Sequence, residues 1–183
     1  MLAPPWNVVE CQLDINQTRL DIHLDFSGGS RFTCPDCGQA NSAVHDTVPK
    51  SWRHLNFFQH DAFIHARVPR IKCNNCGIRV DHVPWAREDC KFMLLSEAYI
   101  MLLVPSMPVK RISELVGEHD TRLWRLIQHH VKKARYEADY ANVKQVGIDE
   151  TSSKRGHNYV TLVVDLEESK TIFAFEGKET LPL

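Results

Sequence analysis

The 183-residue sequence predicts an α+β fold built as a multi-module chain. Three observations predict it. Two knuckles, Cys34-Pro35-Asp36-Cys37-Gly38 and Cys73-Asn74-Asn75-Cys76-Gly77, lie among short strand-like runs with 35 residues between the pairs. A helical stretch follows, punctuated by Pro105, Pro108 and Gly117. From Val143 the pattern returns to strands. The modules expected from this are residues 1–88 (N-terminal strands and ribbon), 89–136 (helices) and 143–183 (closing antiparallel strands).

In order, Val8, Val9 and Leu13 form one strand patch, and Leu20, Ile22, Leu24 and Phe26 alternate with period two until Ser27-Gly28-Gly29-Ser30 breaks the pattern. Residues 52–72 read as two strands, the first holding Leu55, Phe57 and Phe58, the second Ala62, Ile64, Ala66 and Val68, with Pro69 and the knuckle ending the run. A helix is expected over 91–104. Pro108 suits the first turn of the next helix, where an N–H would be unpaired anyway. Gly117 allows a left-handed turn, and Asp120 or Thr121 caps a third helix with Leu123, Trp124, Ile127, Val131 and Ala134 on its apolar side. Strands follow at Val143–Asp149, Tyr159–Leu166 and Thr171–Phe175, with Gly156 in the first turn.

The paired cysteines point to zinc. No stretch reaches 18 apolar residues and the N-terminus lacks a signal-peptide layout, so the expected location is cytoplasmic, where thiols stay reduced and such pairs favour metal over disulfides. Cys34, Cys37, Cys73 and Cys76 make a closed tetrahedron without an open position, which is a structural Zn²⁺ site. A glycine after each second cysteine lets the knuckle curl so that N–H groups face the thiolates. Cys11 and Cys90 are expected as buried or half-buried thiols, and the scattered histidines as structural or surface groups, with His54 as a candidate phosphate contact.

The net charge of −1 is unevenly spread: residues 50–80 carry +5, residues 104–136 carry +4 and residues 137–183 carry −4. Segregated positive charge suits a polyanion partner. Two helices joined at Gly117-Glu118-His119 have the form of a DNA-reading helix-turn-helix. Arg122 and Arg125 fall near the start of its second helix, where base edges are met; Lys132, Lys133 and Arg135 fall later, where phosphates are neutralised. Lys110, Arg111, Arg53 and Arg70 complete the expected DNA-binding set, while Trp124 is expected in the core.

Read in order, the two knuckles, Ser51-Trp52-Arg53-His54-Leu55, Arg67-Val68-Pro69-Arg70, the helix-turn-helix, Gly147-Ile148-Asp149-Glu150 and Gly156-His157-Asn158-Tyr159-Val160 together resemble the bacterial insertion-sequence transposases of the ISL-three family. The resemblance runs from about Val8 to Lys178. It implies a zinc ribbon and helix-turn-helix that bind transposon terminal repeats in double-stranded DNA. It also implies that the closing strands open an RNase H-like (DDE) domain, in which Asp, Asp and Glu hold two Mg²⁺ ions for phosphoryl transfer. Asp149 matches the first catalytic Asp, with Glu150 and Asp165 as lesser candidates. The second Asp and the Glu are expected beyond Leu183, so a truncated chain, inactive alone, is the expectation. Two other readings stand beside it: a non-catalytic DNA-binding protein acting as competitor or regulator, and a ribbon module for protein interaction. Homo-oligomerisation stays open.

Overall fold

The computed structural model describes residues 2–154 and 158–177; the turn expected at Gly156 lies outside them. The chain divides into two compact units, Met1–His130 and Val131–Leu183. No helix among the described residues is long and apolar enough to cross a membrane.

The first unit is built on strands β1 (Trp6–Asp14), β2 (Arg19–Phe26), β3 (Arg31–Phe32), β4 (Ser42–Arg53), β5 (Asp61–Cys73) and β6 (Gly77–Val80). They form one sheet in the order β1-β2-β5-β4-β3, with β6 also paired to β5. The β2–β5 pairing is parallel and the others are antiparallel. The first half of β5 alternates as its sequence requires, with Ala62, Ile64, Ala66 and Val68 buried. The run does not stop at Pro69. A register shift between Val44 and Asp46 on β4 leaves an extra residue opposite β5, and the buried positions switch to Ile71 and Cys73. That change of parity turns the last thiol of the strand inward.

The core holds Trp6, Leu24, Phe32, Trp52, Ile64 and Val68 with Cys34 and Cys73. Trp85 joins it from the segment after β6, its indole edge-on to Trp6 (4.8 Å between ring centroids) and to Trp52 (5.6 Å). On the opposite face Asp21 takes two bonds from Arg19, at 2.7 and 2.8 Å, and lies 2.5 Å from His65 Nε2, while Ser51 Oγ lies 2.7 Å from His65 Nδ1. These links tie β2, β5 and β4 together and fix their register.

Strand β4 ends at Arg53, earlier than the hydrophobic run suggests. Phe57 and His60 close a tight turn, and Phe58 sits at its tip with φ 53°. After β6 the chain returns to the end of β4: Arg53 N–H donates to the Lys91 carbonyl (2.7 Å) and Met93 N–H to the Arg53 carbonyl (3.0 Å). This strand-like bridge, Arg53 with Phe92, holds residues 91–93 extended, so helix α1 is Leu94–Leu103 rather than 91–104. Helices α2 (Val109–Val116) and α3 (Asp120–Tyr136) follow, and Ile100, Ile112, Leu123 and Leu126 pack with Phe92 as a second core.

Arg53 lies between the two cores with its side chain 5% exposed. Its Nη1 donates to the carbonyls of His54 (2.6 Å) and Ala62 (3.1 Å); Nη2 donates to Asn56 Oδ1 (2.5 Å), Asp61 Oδ1 (2.6 Å) and the Val116 carbonyl at the end of α2 (3.2 Å). Nε lies 3.7 Å from the Glu118 carboxylate, itself 7% exposed. Arg53 was expected at the DNA surface. It is instead the joint between sheet and helices, and its guanidinium is unavailable to phosphate.

The second unit is the antiparallel sheet β7 (Val146–Lys154), β8 (Asn158–Asp165) and β9 (Lys170–Glu176), with β8 in the centre.

Two outcomes test this architecture. Replacing Arg53 with Met should cost about 3–5 kcal/mol in urea denaturation, because Asp61 and the Val116 carbonyl would lose their donor and Glu118 one of its two cationic partners. Arg19 above all, with His65 and against the opposing effect of burial, lowers the Asp21 carboxyl from its ordinary 3.8 to about 2. Its stabilisation is therefore full above about pH 4 and is lost as the pH falls through 2. Asp21→Asn should cost about 2 kcal/mol at neutral pH. The gap from wild type, measured at equal pH, should close on acidification.

Candidate metal centre and nucleic-acid interface

The first knuckle follows β3. Cys34 N–H donates to the Gln39 carbonyl (2.8 Å) and Gly38 N–H to the Cys34 carbonyl (2.9 Å), with Gly38 at φ 72°. The second knuckle is the turn between β5 and β6: Cys73 pairs with Gly77, whose φ of 76° closes it. Asp36 of the first knuckle accepts a short bond from Arg79 on β6, clamping the two together.

The four sulfurs of Cys34, Cys37, Cys73 and Cys76 all lie within 4.8 Å of one another. A tetrahedral zinc with Zn–S bonds near 2.3 Å needs sulfurs roughly 3.8 Å apart, so the set fits that ion with little adjustment. The electrostatics agree. Burial opposes ionisation of Cys73, yet the N–H groups of Cys76 and Asn75 and the thiols of Cys37 and Cys34 lower its pKa to about 7. The Cys37 thiol first, then burial and Cys34, push Cys76 up to about 12. Four thiols this close cannot all ionise without a cation among them, and a divalent ion supplies that charge. With all four positions taken by sulfur, the ion serves structure. Cys11 is exposed rather than buried, and Cys90 is half-buried.

The helical segment has the expected turn. Gly117 ends α2 in the left-handed region (φ 66°, ψ 31°). The cap of α3 lies one residue earlier than expected: Asp120 opens the helix, and His119 Nδ1 accepts the Thr121 N–H at 3.4 Å. Pro108 is the N-cap of α2, with Val109 as its first turn.

Leu123, Leu126 and Ile127 bury one side of α3. At 100° per residue the pole opposite them passes through Thr121, Arg125 and Gln128, all exposed. Trp124 was expected in the core and is 49% exposed on the flank of that pole. Its i, i+3 spacing matches the apolar residues, but its angle on the helix does not. Gln128 and Thr121 are not in the expected DNA-binding set, because uncharged polar residues carry no charge signal; Thr121 was expected only as a helix cap.

Among the other expected DNA-binding residues, Arg122 pairs with Glu118 (2.8 Å), Arg111 with Glu114 (2.8 Å), Lys133 with Glu137 (3.9 Å) and Arg70 with Asp46. Lys110, Arg125 and Lys132 are exposed. In the second unit Arg135 lies over the Phe173 ring, 4.9 Å from its centroid.

Asp149 is exposed on β7, opposite Leu162. Asp165 is opposite Val146, three register steps away, so the two carboxylates belong to opposite faces of the sheet. Asp165 is buried and accepts the N–H of Glu167 (2.9 Å), which commits it to the β8–β9 turn. It does not approach Asp149.

A family profile described as the zinc-finger of transposase IS204/IS1001/IS1096/IS1165 matches residues 30–76, and one described as the helix-turn-helix domain of transposase family ISL3 matches residues 82–131. Among curated proteins, the transposase for insertion sequence element IS1557 of Mycobacterium tuberculosis is 28% identical over 141 residues, covering 73% of this chain and 30% of that protein. The transposase for insertion sequence element IS1001 of Bordetella parapertussis is 29% identical over 136 residues, covering 72% and 33%. The chain thus spans about a third of the length of these relatives. No solved structure matches it significantly.

Metal analysis should find one zinc per chain. Chelation, or Cys34→Ser, should unfold the ribbon and shift the fluorescence of Trp6, Trp52 and Trp85, which pack in the same core as Cys34 and Cys73. Structural zinc contributes on the order of 10 kcal/mol in small modules, and because binding displaces thiol protons its affinity should fall as the pH is lowered. A zinc-free protein with native fluorescence would refute the assignment.

Proposed function

We propose, from the zinc-ribbon and helix-turn-helix domains of ISL3-family transposases that this chain carries, that it is the part of an insertion-sequence transposase that binds the terminal repeats of the element. The observation that carries the reading is the exposed pole of α3, with Arg125 at its middle, on a helix whose opposite side is packed into the core. Such a helix fits the major groove, Arg125 matching the two acceptors of guanine and Gln128 the paired donor and acceptor of adenine. Lys110, Lys132 and Lys133 suit flanking phosphates. The ribbon supports this reader through the Arg53 joint rather than by lending Arg53 to the DNA.

The C-terminal sheet fits the opening of a DDE domain, and Asp149 is its best candidate for a first catalytic carboxylate. In such domains a pair of Mg²⁺ ions stabilises the attacking and leaving oxygens of phosphoryl transfer. The described residues do not fit that pair: Asp149 and Asp165 are on opposite faces.

Duplex binding should weaken linearly in log–log plots against salt, as counterions are released from neutralised phosphates. Arg125→Ala should cost about 5- to 150-fold on the cognate duplex and relax its base preference at one position. Binding indifferent to salt and to Arg125 would favour a protein-interaction module. Mg²⁺-dependent strand transfer by this chain alone should be undetectable; robust transfer would overturn the reading of the C-terminal sheet.

A further inference from the structure

The segment that joins the ribbon to α1 lies against the first half of α3, and between them is a cavity of about 500 Å³. Four cationic side chains, Arg87, Lys91, Arg122 and Arg125, line it against the carboxylates of Glu88 and Asp89. Not all of these cations are available. Arg87 is committed to Glu97 on α1, 2.8 Å away and 2% exposed. Burial works against charge on Glu97, but Arg87, Cys90 and His130 hold its carboxyl below the usual range, so Arg87 stays engaged. Arg122 is paired with Glu118. On the acidic side, Glu88 lies 3.7 Å from His82 Nε2. Lys91 and Arg125 are exposed and have no ion-pair partner among the described residues.

The backbone that carries Lys91 is not a loose arm. Its carbonyl accepts the Arg53 N–H at 2.7 Å, the next residue bridges to Arg53, and Cys90 N–H closes a turn onto the Arg87 carbonyl at 3.2 Å. A cation on such a fixed segment contributes to binding without the ordering cost of a mobile tail.

Resting on the DNA-binding reading above, we propose that this connector is a second DNA contact: Lys91 seats a phosphodiester of the strand that borders the groove entered by α3, beside Arg125. The chemistry follows from the charges. A phosphate takes an ammonium as a point charge and needs no planar fork, and a contact to phosphate positions the protein on the duplex without reading sequence. Lys91 therefore adds affinity and orientation, and leaves base preference to α3.

The test uses the full chain with two labelled duplexes, one from the element's end and one of mixed sequence. Lys91→Ala should weaken binding about 3- to 10-fold on both alike, and should lower the slope of log affinity against log salt by about 0.9, the loss of one phosphate contact. The ratio of affinities for the two duplexes should stay at its wild-type value, and Lys91→Arg should restore both affinity and slope. Wild-type affinity and slope in Lys91→Ala, with salt-dependent binding intact in the parent, would overturn this inference alone. Absence of salt-dependent binding in the parent would overturn both it and the proposed function.

Discussion

One buried guanidinium organises the first unit. Arg53 ends β4, and its backbone and side chain together reach the turn at 54–61, the start of β5, the segment before α1, and the C-terminal carbonyl of α2. A charge so deeply buried is tolerable only because carbonyls and carboxylates surround it, and each of those groups is fixed by the element that bears it. The planar fork matters as much as the charge: five donors in one plane can address several backbone segments at once, which an ammonium could not do from the same position.

The sequence revealed the elements better than their uses. The cysteine spacing was legible because the chemistry of the metal dictates residue type and distance together. The helix-turn-helix was legible because Pro108 and Gly117 punctuate it for backbone reasons independent of context. Arg53 was misread. In a sequence, a basic residue in a basic segment looks like surface, and nothing local reveals that β5 will place Asp61 and the Ala62 carbonyl around it. Trp85 was overlooked for a related reason, since a lone aromatic in an irregular segment has no period, yet it sits edge-on to two other indoles at the centre of the core.

The extent of β5 shows how tertiary context overrides a local breaker. Proline should end a central strand, because it lacks a donor for the ladder. Here Pro69 keeps its register with Thr47, the bulge on β4 falls further along, opposite Arg70 and Ile71, and the strand continues to Cys73 with its inward face exchanged. A strand that had stopped at Pro69 would leave Cys73 without the pairing to Gly77 that shapes its knuckle. The carboxylates of the second unit give the converse lesson: Asp165 is a lesser candidate in the sequence because its strand follows that of Asp149, and the two-residue period of the strand puts the two on opposite faces.

The bond between Trp85 and the start of α1 has a practical meaning for anyone dividing this protein. Leu94 N–H donates to the Trp85 carbonyl, and Arg87 reaches into α1 to Glu97. Residues 81–93 lie outside the named strands and helices, but they are shared masonry, one course of which belongs to each neighbour. A cut near residue 88 would open two cores at once instead of freeing two domains. Ribbon and helices are therefore best handled or transplanted as a single cassette.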